Sequence, residues 1–92
     1  MNIEVRDNPD QSRYEAVLDG EAVGFAYYDL RPGRVVFTHT EVAPDAEGHG
    51  VASTLIRHAL DDVRARGQKI VPLCPFVRAF LARHTEYVDL VA

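Results

Sequence analysis

The chain has 92 residues, ten basic and fourteen acidic, for a formal charge of −4, and 47% of them are hydrophobic. That is room for one small domain, residues 1–92, and it excludes a dinucleotide-binding domain paired with a substrate domain. Charges of both signs are interspersed without a basic block, so nucleic acid is not an evident partner, and no apolar run approaches the roughly 18 residues of a membrane span.

Cys74 is the single cysteine. It can form neither an intramolecular disulfide nor a Cys-x-x-Cys metal site, so no metal is expected and a reducing, cytoplasmic setting fits. The segment Met1–Arg6 alternates and carries acid, unlike a signal peptide.

The first half reads as strands. Ile3 and Val5 alternate with Glu4 and Arg6, and Asp7-Asn8-Pro9-Asp10 breaks the run. Ser12 to Leu18 forms a second strand, with Tyr14, Ala16 and Leu18 on one face. Asp19-Gly20 is a two-residue hairpin signal. Glu21 to Leu30 returns, setting Val23, Phe25 and Tyr27 opposite Ala22, Gly24, Ala26 and Tyr28. Arg31-Pro32-Gly33-Arg34 turns the chain into a fourth strand, Val35 to Val42. Short loops between consecutive strands predict an antiparallel meander.

The period then changes. Pro44 to Gly50 is a loop. From Val51 to about Arg66 the apolar positions Ala52, Leu55, Ile56, Ala59, Leu60 and Val63 follow the spacing of an amphipathic helix, and Gly67 caps its end. Lys69 to Leu73 is a short, buried strand. Pro75 opens a second helix ending near His84, with Phe76, Val77, Phe80 and Leu81 as its apolar stripe. The tail Glu86–Ala92 is short and partly apolar. The order ββββαβα predicts an α/β (α+β layered) fold. Its sheet is mixed but mostly antiparallel, helices pack on it, and its one crossover is right-handed.

Glu47-Gly48-His49-Gly50-Val51-Ala52 leads straight into the long helix. The first turn of a helix has unpaired N–H groups and partial positive charge, and glycines let a ligand approach the backbone. Such a segment is either a phosphate site or a plain glycine loop. It is not a P-loop, since Gly-Lys-Ser/Thr is absent. Nor is it a dinucleotide fingerprint, since Ser53 stands at the third glycine position and Cys74, not an acid, ends the next strand.

The segment from Val42-Ala43-Pro44 through Gly50-Val51-Ala52 resembles the coenzyme A-binding element of the GNAT superfamily of N-acetyltransferases, Gln/Arg-x-x-Gly-x-Gly/Ala. Gly50 and Ala52 match, while Glu47 replaces the first residue. With His39-Thr40-Glu41-Val42, Cys74-Pro75-Phe76 and His84-Thr85-Glu86-Tyr87, the chain is similar over nearly its whole length to a small single-domain GNAT-like family. Thr85 stands where that family usually has proline.

The resemblance implies a reduced GNAT fold with acetyl-CoA as cosubstrate, held where the fourth and fifth strands splay apart. The pantetheine arm falls to Glu41-Val42-Ala43, and the pyrophosphate to the amides of Gly48, His49, Gly50, Val51 and Ala52. An amide near Val42 would stabilise the oxygen of the tetrahedral intermediate.

An amine nucleophile must lose a proton. His39 and Glu41, on one strand face by the period of two, are the candidate bases, Glu41 acting directly or through water. Either residue also reads as an ordinary surface group. Cys74, just before a helix that starts at Pro75, sits where a thiolate is stabilised, and it is either an acetyl-accepting nucleophile or a small buried hydrophobe. Tyr87 is a candidate proton donor to the departing thiolate. Tyr14, Tyr27 and Tyr28 read as sheet packing, and His58 as solvated.

The expected function is acetyl-CoA-dependent transfer of acetyl to an amine acceptor, a small amine or a protein lysine. The alternatives are a non-catalytic acyl-CoA-binding regulatory module and a structural domain with no ligand.

Overall fold

A computed structural model describes residues 2–92, so the part of the N-terminal reading that falls on Met1 lies outside the described residues. The strands are β1 (Ile3–Asn8), β2 (Arg13–Leu18), β3 (Glu21–Arg31), β4 (Arg34–Val42) and β5 (Lys69–Pro72), and the helices are α1 (Val51–Ala65) and α2 (Pro75–Arg83). The sheet order is β1-β2-β3-β4-β5. The first four strands pair antiparallel, and β5 joins β4 parallel after the α1 crossover. No helix among the described residues is long and apolar enough to cross a membrane.

Turn chemistry sets the meander. Asp19 (φ 52°) and Gly20 (φ 82°) are both left-handed, which matches the twist of the strands they join. Gly33 (φ 71°) follows Pro32 in the β3–β4 turn, the arrangement a type II turn favours.

β1 runs two residues beyond its sequence-predicted end at Arg6, because Asp7 and Asn8 still pair with Tyr14 and Arg13. The break falls on a 3-10 turn at Pro9–Gln11, and Ser12 is left-handed (φ 53°) rather than the first residue of β2. The tail is also more ordered than its composition indicates. Thr85–Leu90 forms a 3-10 helix, and Val91 bridges Ile70 on the outer edge of β5.

Both helices cover one face of the sheet. Tyr14, Ala16, Ala26, Tyr28, Val35 and Phe37 meet Leu55, Ile56, Leu60 and Val63 of α1 and Val77, Phe80 and Leu81 of α2 in a single core. Phe76 departs from the predicted stripe and is exposed. The i, i+3, i+4 set of α2 is Val77, Phe80 and Leu81, and Phe76 lies on its flank.

Among the described residues, neither α1 nor α2 packs on the other sheet face. Two rows of residues cross it in register: Arg6, Glu15, Phe25 and Glu41, then Asn8, Arg13, Tyr27 and His39.

Two β-bulges set which side chains share a face. One lies where Ala16↔Gly24 gives way to Val17↔Ala22, and the extra residue is Val23. The other lies where Tyr27↔His39 gives way to Tyr28↔Phe37, and the extra residue is Thr38. An inserted residue shifts the alternation by one. Val35 and Phe37 therefore point to the helices before the bulge, and Thr40 and Val42 do so after it.

Candidate functional site

β4 and β5 stay paired only from Arg34↔Lys69 to Phe37↔Pro72. The carbonyl of Phe37 then accepts the N–H groups of both Leu73 and Cys74, each at 3.0 Å, and the chain turns away into α2. β4 continues to Val42 with no β-strand partner on that side among the described residues. A cleft of about 480 Å³ occupies the divergence, lined by Thr40, Glu41 and Val42 on β4, by residues 46–48 and 50–53, and by Phe76 of α2.

The N-terminus of α1 ends in this cleft. Gly50 is its N-cap with φ 73°, no side chain caps it, and no acid lies in its first turn. The first helical bond is Thr54 N–H to the carbonyl of Gly50, at 3.0 Å, so the amides of Val51, Ala52 and Ser53 lie ahead of the helical ladder. Gly48 is also left-handed, with φ 83°. Two such residues in a three-residue stretch bend the backbone around the helix end, a shape that only glycine adopts without strain.

Gly24 of β3 seats this end of the helix on the sheet. A Cβ there would lie 2.9 Å from Val51 Cγ1 and 3.3 Å from Ala16 Cβ. Close approach of the α1 N-terminus to the strands depends on that missing side chain.

Of the residues named from sequence, Glu41, Val42, Glu47, Gly48, Gly50, Val51 and Ala52 line the cleft. His49 is exposed and is not among the lining residues. Thr40, Ala46, Ser53 and Phe76 line it as well, though the sequence reading gave them no role there. Ser53 and Phe76 were findable, because each lies in the first turn of a helix that opens beside the gap.

Cys74 precedes Pro75 as expected, but it is only 3% exposed. Its sulfur lies 3.3 Å from Oγ1 of Thr40, the cleft-lining residue in front of it.

His39 and Glu41 do share a strand face, and it is the helix-free one. Their side chains are 62% and 51% exposed, with His39 Nε2 3.4 Å from Glu41 Oε2. Tyr27, read from sequence as packing, donates its hydroxyl to the other oxygen, Glu41 Oε1, at 3.0 Å. Its ring also stacks on His39, 6.0 Å between centroids.

Tyr87 faces elsewhere. It is buried, donates its hydroxyl to Asp61 at 2.7 Å and receives Arg57 at 3.3 Å. Arg57 also meets His84 Nδ1 at 3.2 Å, so this cluster joins the tail to the middle of α1. His58 is exposed on α1. Among the described residues no group of His, Cys, Asp and Glu is arranged to hold a metal ion.

The sequence model of the GCN5-related N-acetyl-transferase family matches residues 13–90, which is most of the chain. The chain belongs to this family. Its mixed sheet, with helices packed on it in the order ββββαβα, is the fold expected from the resemblance. Among solved structures, this GCN5-related chain is similar to a GCN5-like protein from Staphylococcus aureus, with TM-score 0.73 and 20% identity, over 99% of this chain and 89% of that one. It is also similar to the ribosomal-protein-alanine N-acetyltransferase of Brucella melitensis, with TM-score 0.58 and 28% identity, over 87% of this chain and 60% of that one. The ribosomal-protein-S18-alanine N-acetyltransferase of Escherichia coli aligns with TM-score 0.59 and 20% identity over 63% of this chain. The GCN5-related chain thus spans 60% and 38% of the lengths of those last two proteins. No curated protein sequence matches it.

Proposed function

We propose that this GCN5-related chain is an acetyl-CoA-dependent N-acetyltransferase acting on an amine acceptor in a reducing, cytoplasmic setting. The observation that carries this reading is the divergence of β4 from β5 onto the uncapped amides of α1. An extended thioester arm fits along the unpaired edge of β4 beside Glu41, Val42 and Ala43. A pyrophosphate suits the glycine-shaped end of α1, whose free N–H groups and dipole favour an anion. The loss of side chains at Gly48 and Gly50 makes room for it there.

In the reaction, the neutral amine nitrogen bonds to the thioester carbonyl carbon and the C–S pair leaves on sulfur. The amine proton passes to the Glu41 carboxylate, directly or through one water. The Val42 amide is the candidate donor to the intermediate's oxygen. Direct transfer accords better with the position of Cys74 than an acetyl-cysteine does, since the thiol is buried and engaged by Thr40. Cys74→Ser decides between them. Turnover retained within about threefold supports direct transfer, and complete loss with acetyl-CoA still bound supports the covalent route.

Thermal unfolding with acetyl-CoA tests binding. At 100 times Kd the ligand adds about 2.7 kcal/mol, a rise of about 10–20 °C for a domain this size. Thiol release from acetyl-CoA, screened with polyamines, lysine peptides and alanine-terminated peptides, tests transfer. Binding without amine-dependent release would instead indicate a non-catalytic acyl-CoA-binding module. Absence of any shift would refute both readings.

A further inference from the structure

The helix-free face carries a continuous chain of polar contacts. Glu15 lies on that face yet is only 2% exposed. Arg6 Nε donates to its Oε1 at 3.0 Å, and Asn8 Nδ2 and Arg13 Nε donate to Oε2 at 3.0 and 2.8 Å. Arg13 is thereby fixed over the Phe25 ring, 4.3 Å from the centroid, and its Nη1 reaches the Tyr27 hydroxyl oxygen at 3.4 Å. With the guanidinium occupying that oxygen as acceptor, the Tyr27 proton is directed to Glu41 Oε1. His39 holds Oε2. The chain of contacts crosses four strands and ends on the carboxylate of Glu41, a β4 residue that lines the cleft.

Glu41 thus joins two sides of the sheet. Its backbone lies on the edge of β4 along the cleft, and its carboxylate stands on the face that no helix covers. We infer that Tyr27 is a positioning residue, held by Arg13 and Glu15, that fixes the Glu41 carboxylate to receive the proton of an amine arriving from the helix-free face. This rests on the acetyltransferase reading above. A carboxylate on a mobile stem samples many orientations, and a fixed donor on one oxygen selects among them before the amine arrives.

The test compares wild type with Tyr27→Phe, Glu41→Gln and the double variant, by amine-dependent thiol release from acetyl-CoA. Tyr27→Phe keeps the ring and its stack on His39 and removes only the hydroxyl. The expected result is a fall in kcat of about tenfold, the scale of one hydrogen bond to a charged group, with KM for acetyl-CoA unchanged. In the Glu41→Gln background the same change should cost less than twofold, since Tyr27 acts through that carboxylate. Equal losses in both backgrounds, or a Tyr27→Phe enzyme as fast as wild type, overturn the inference and leave the acetyltransferase reading intact. A fall in acetyl-CoA binding equal to the fall in kcat also overturns it, because a merely structural role predicts that pattern. Absence of transfer to every amine by the wild-type protein overturns the underlying reading and this inference with it.

Discussion

Gly24→Ala is the most direct probe of how the cleft is built. The added methyl meets Val51 Cγ1 at 2.9 Å and Ala16 Cβ at 3.3 Å, with Leu55 Cδ2 at 3.6 Å. Val51 and Leu55 are both in the core, and Val51 is the first residue of α1, so the helix end must lift from β3. Overpacking of this kind costs about 1–3 kcal/mol, and replacing a strand glycine returns roughly 0.5–1. The net loss is about 1–2 kcal/mol, or about 4–16 °C in Tm. Calorimetry and acetyl-CoA titration should show the loss together with weaker binding, since the displaced residues present the amides. Removing the obstructing methyl supplies the internal check. In a Val51→Ala background the Gly24→Ala change should cost clearly less, which a double-mutant cycle reads as a coupling of about 1 kcal/mol. An equal cost in the two backgrounds would refute the seating of α1 on Gly24, and so would unchanged acetyl-CoA affinity in the single variant.

Gly50→Ala and Gly33→Ala both force a side chain into left-handed backbone in open space, at φ 73° and 71°. Each should cost about 1–2 kcal/mol, but only Gly50→Ala should weaken acetyl-CoA binding in titration. Burial and the carboxylate of Asp62 raise the Tyr14 phenol well above its ordinary range, and burial and Asp7 do the same for Tyr28. The native chain therefore keeps protons that the unfolded chain releases near pH 10. Stability is full below that pH and should fall above it, with tyrosinate absorbance rising together with unfolding. Burial pushes the Glu15 carboxyl up, but its bonds from Arg13, Asn8 and Arg6 outweigh this and hold it below the carboxylate norm. Its contribution is present above about pH 5 and should be lost as the pH falls below about 4. The acid limb of Tm against pH should accordingly flatten in Glu15→Gln.

The strands, helices and turns were legible because each carries a local signal: period two, period 3.6, Asp19-Gly20, Gly67 and Pro75. The glycine loop likewise marked the start of α1, where Gly50 stands as the N-cap in left-handed backbone. The two bulges carry no such mark. Nothing in Thr38 distinguishes an inserted residue from a paired one, so the inward turn of Thr40 and Val42 emerges only once the strands are in register. Tyr27 was legible only in part for a related reason: its ring packs beside Phe25 and His39, but the bond from its hydroxyl to Glu41 carries no local signal. Its alternation places it on a face but does not say that the face lacks a covering layer, where a hydroxyl is free to serve Glu41. Glu15 is the reverse case. A lone acid in a strand reads as solvent-exposed, yet three donors from β1 and β2 cover it.

The parallel junction of β4 with β5 also orders events in time. The four meander strands pair with sequence neighbours through tight turns, whereas Arg34 meets Lys69 only after the whole α1 segment has been laid across the sheet. Local pairings close early and distant ones late. The gap between β4 and β5 is thus expected to be completed later in folding than the meander. A ligand seated there would bind only the finished topology. Its footprint in native-state hydrogen exchange should extend beyond the residues it touches, to the amides of β5 that lock the crossover in place.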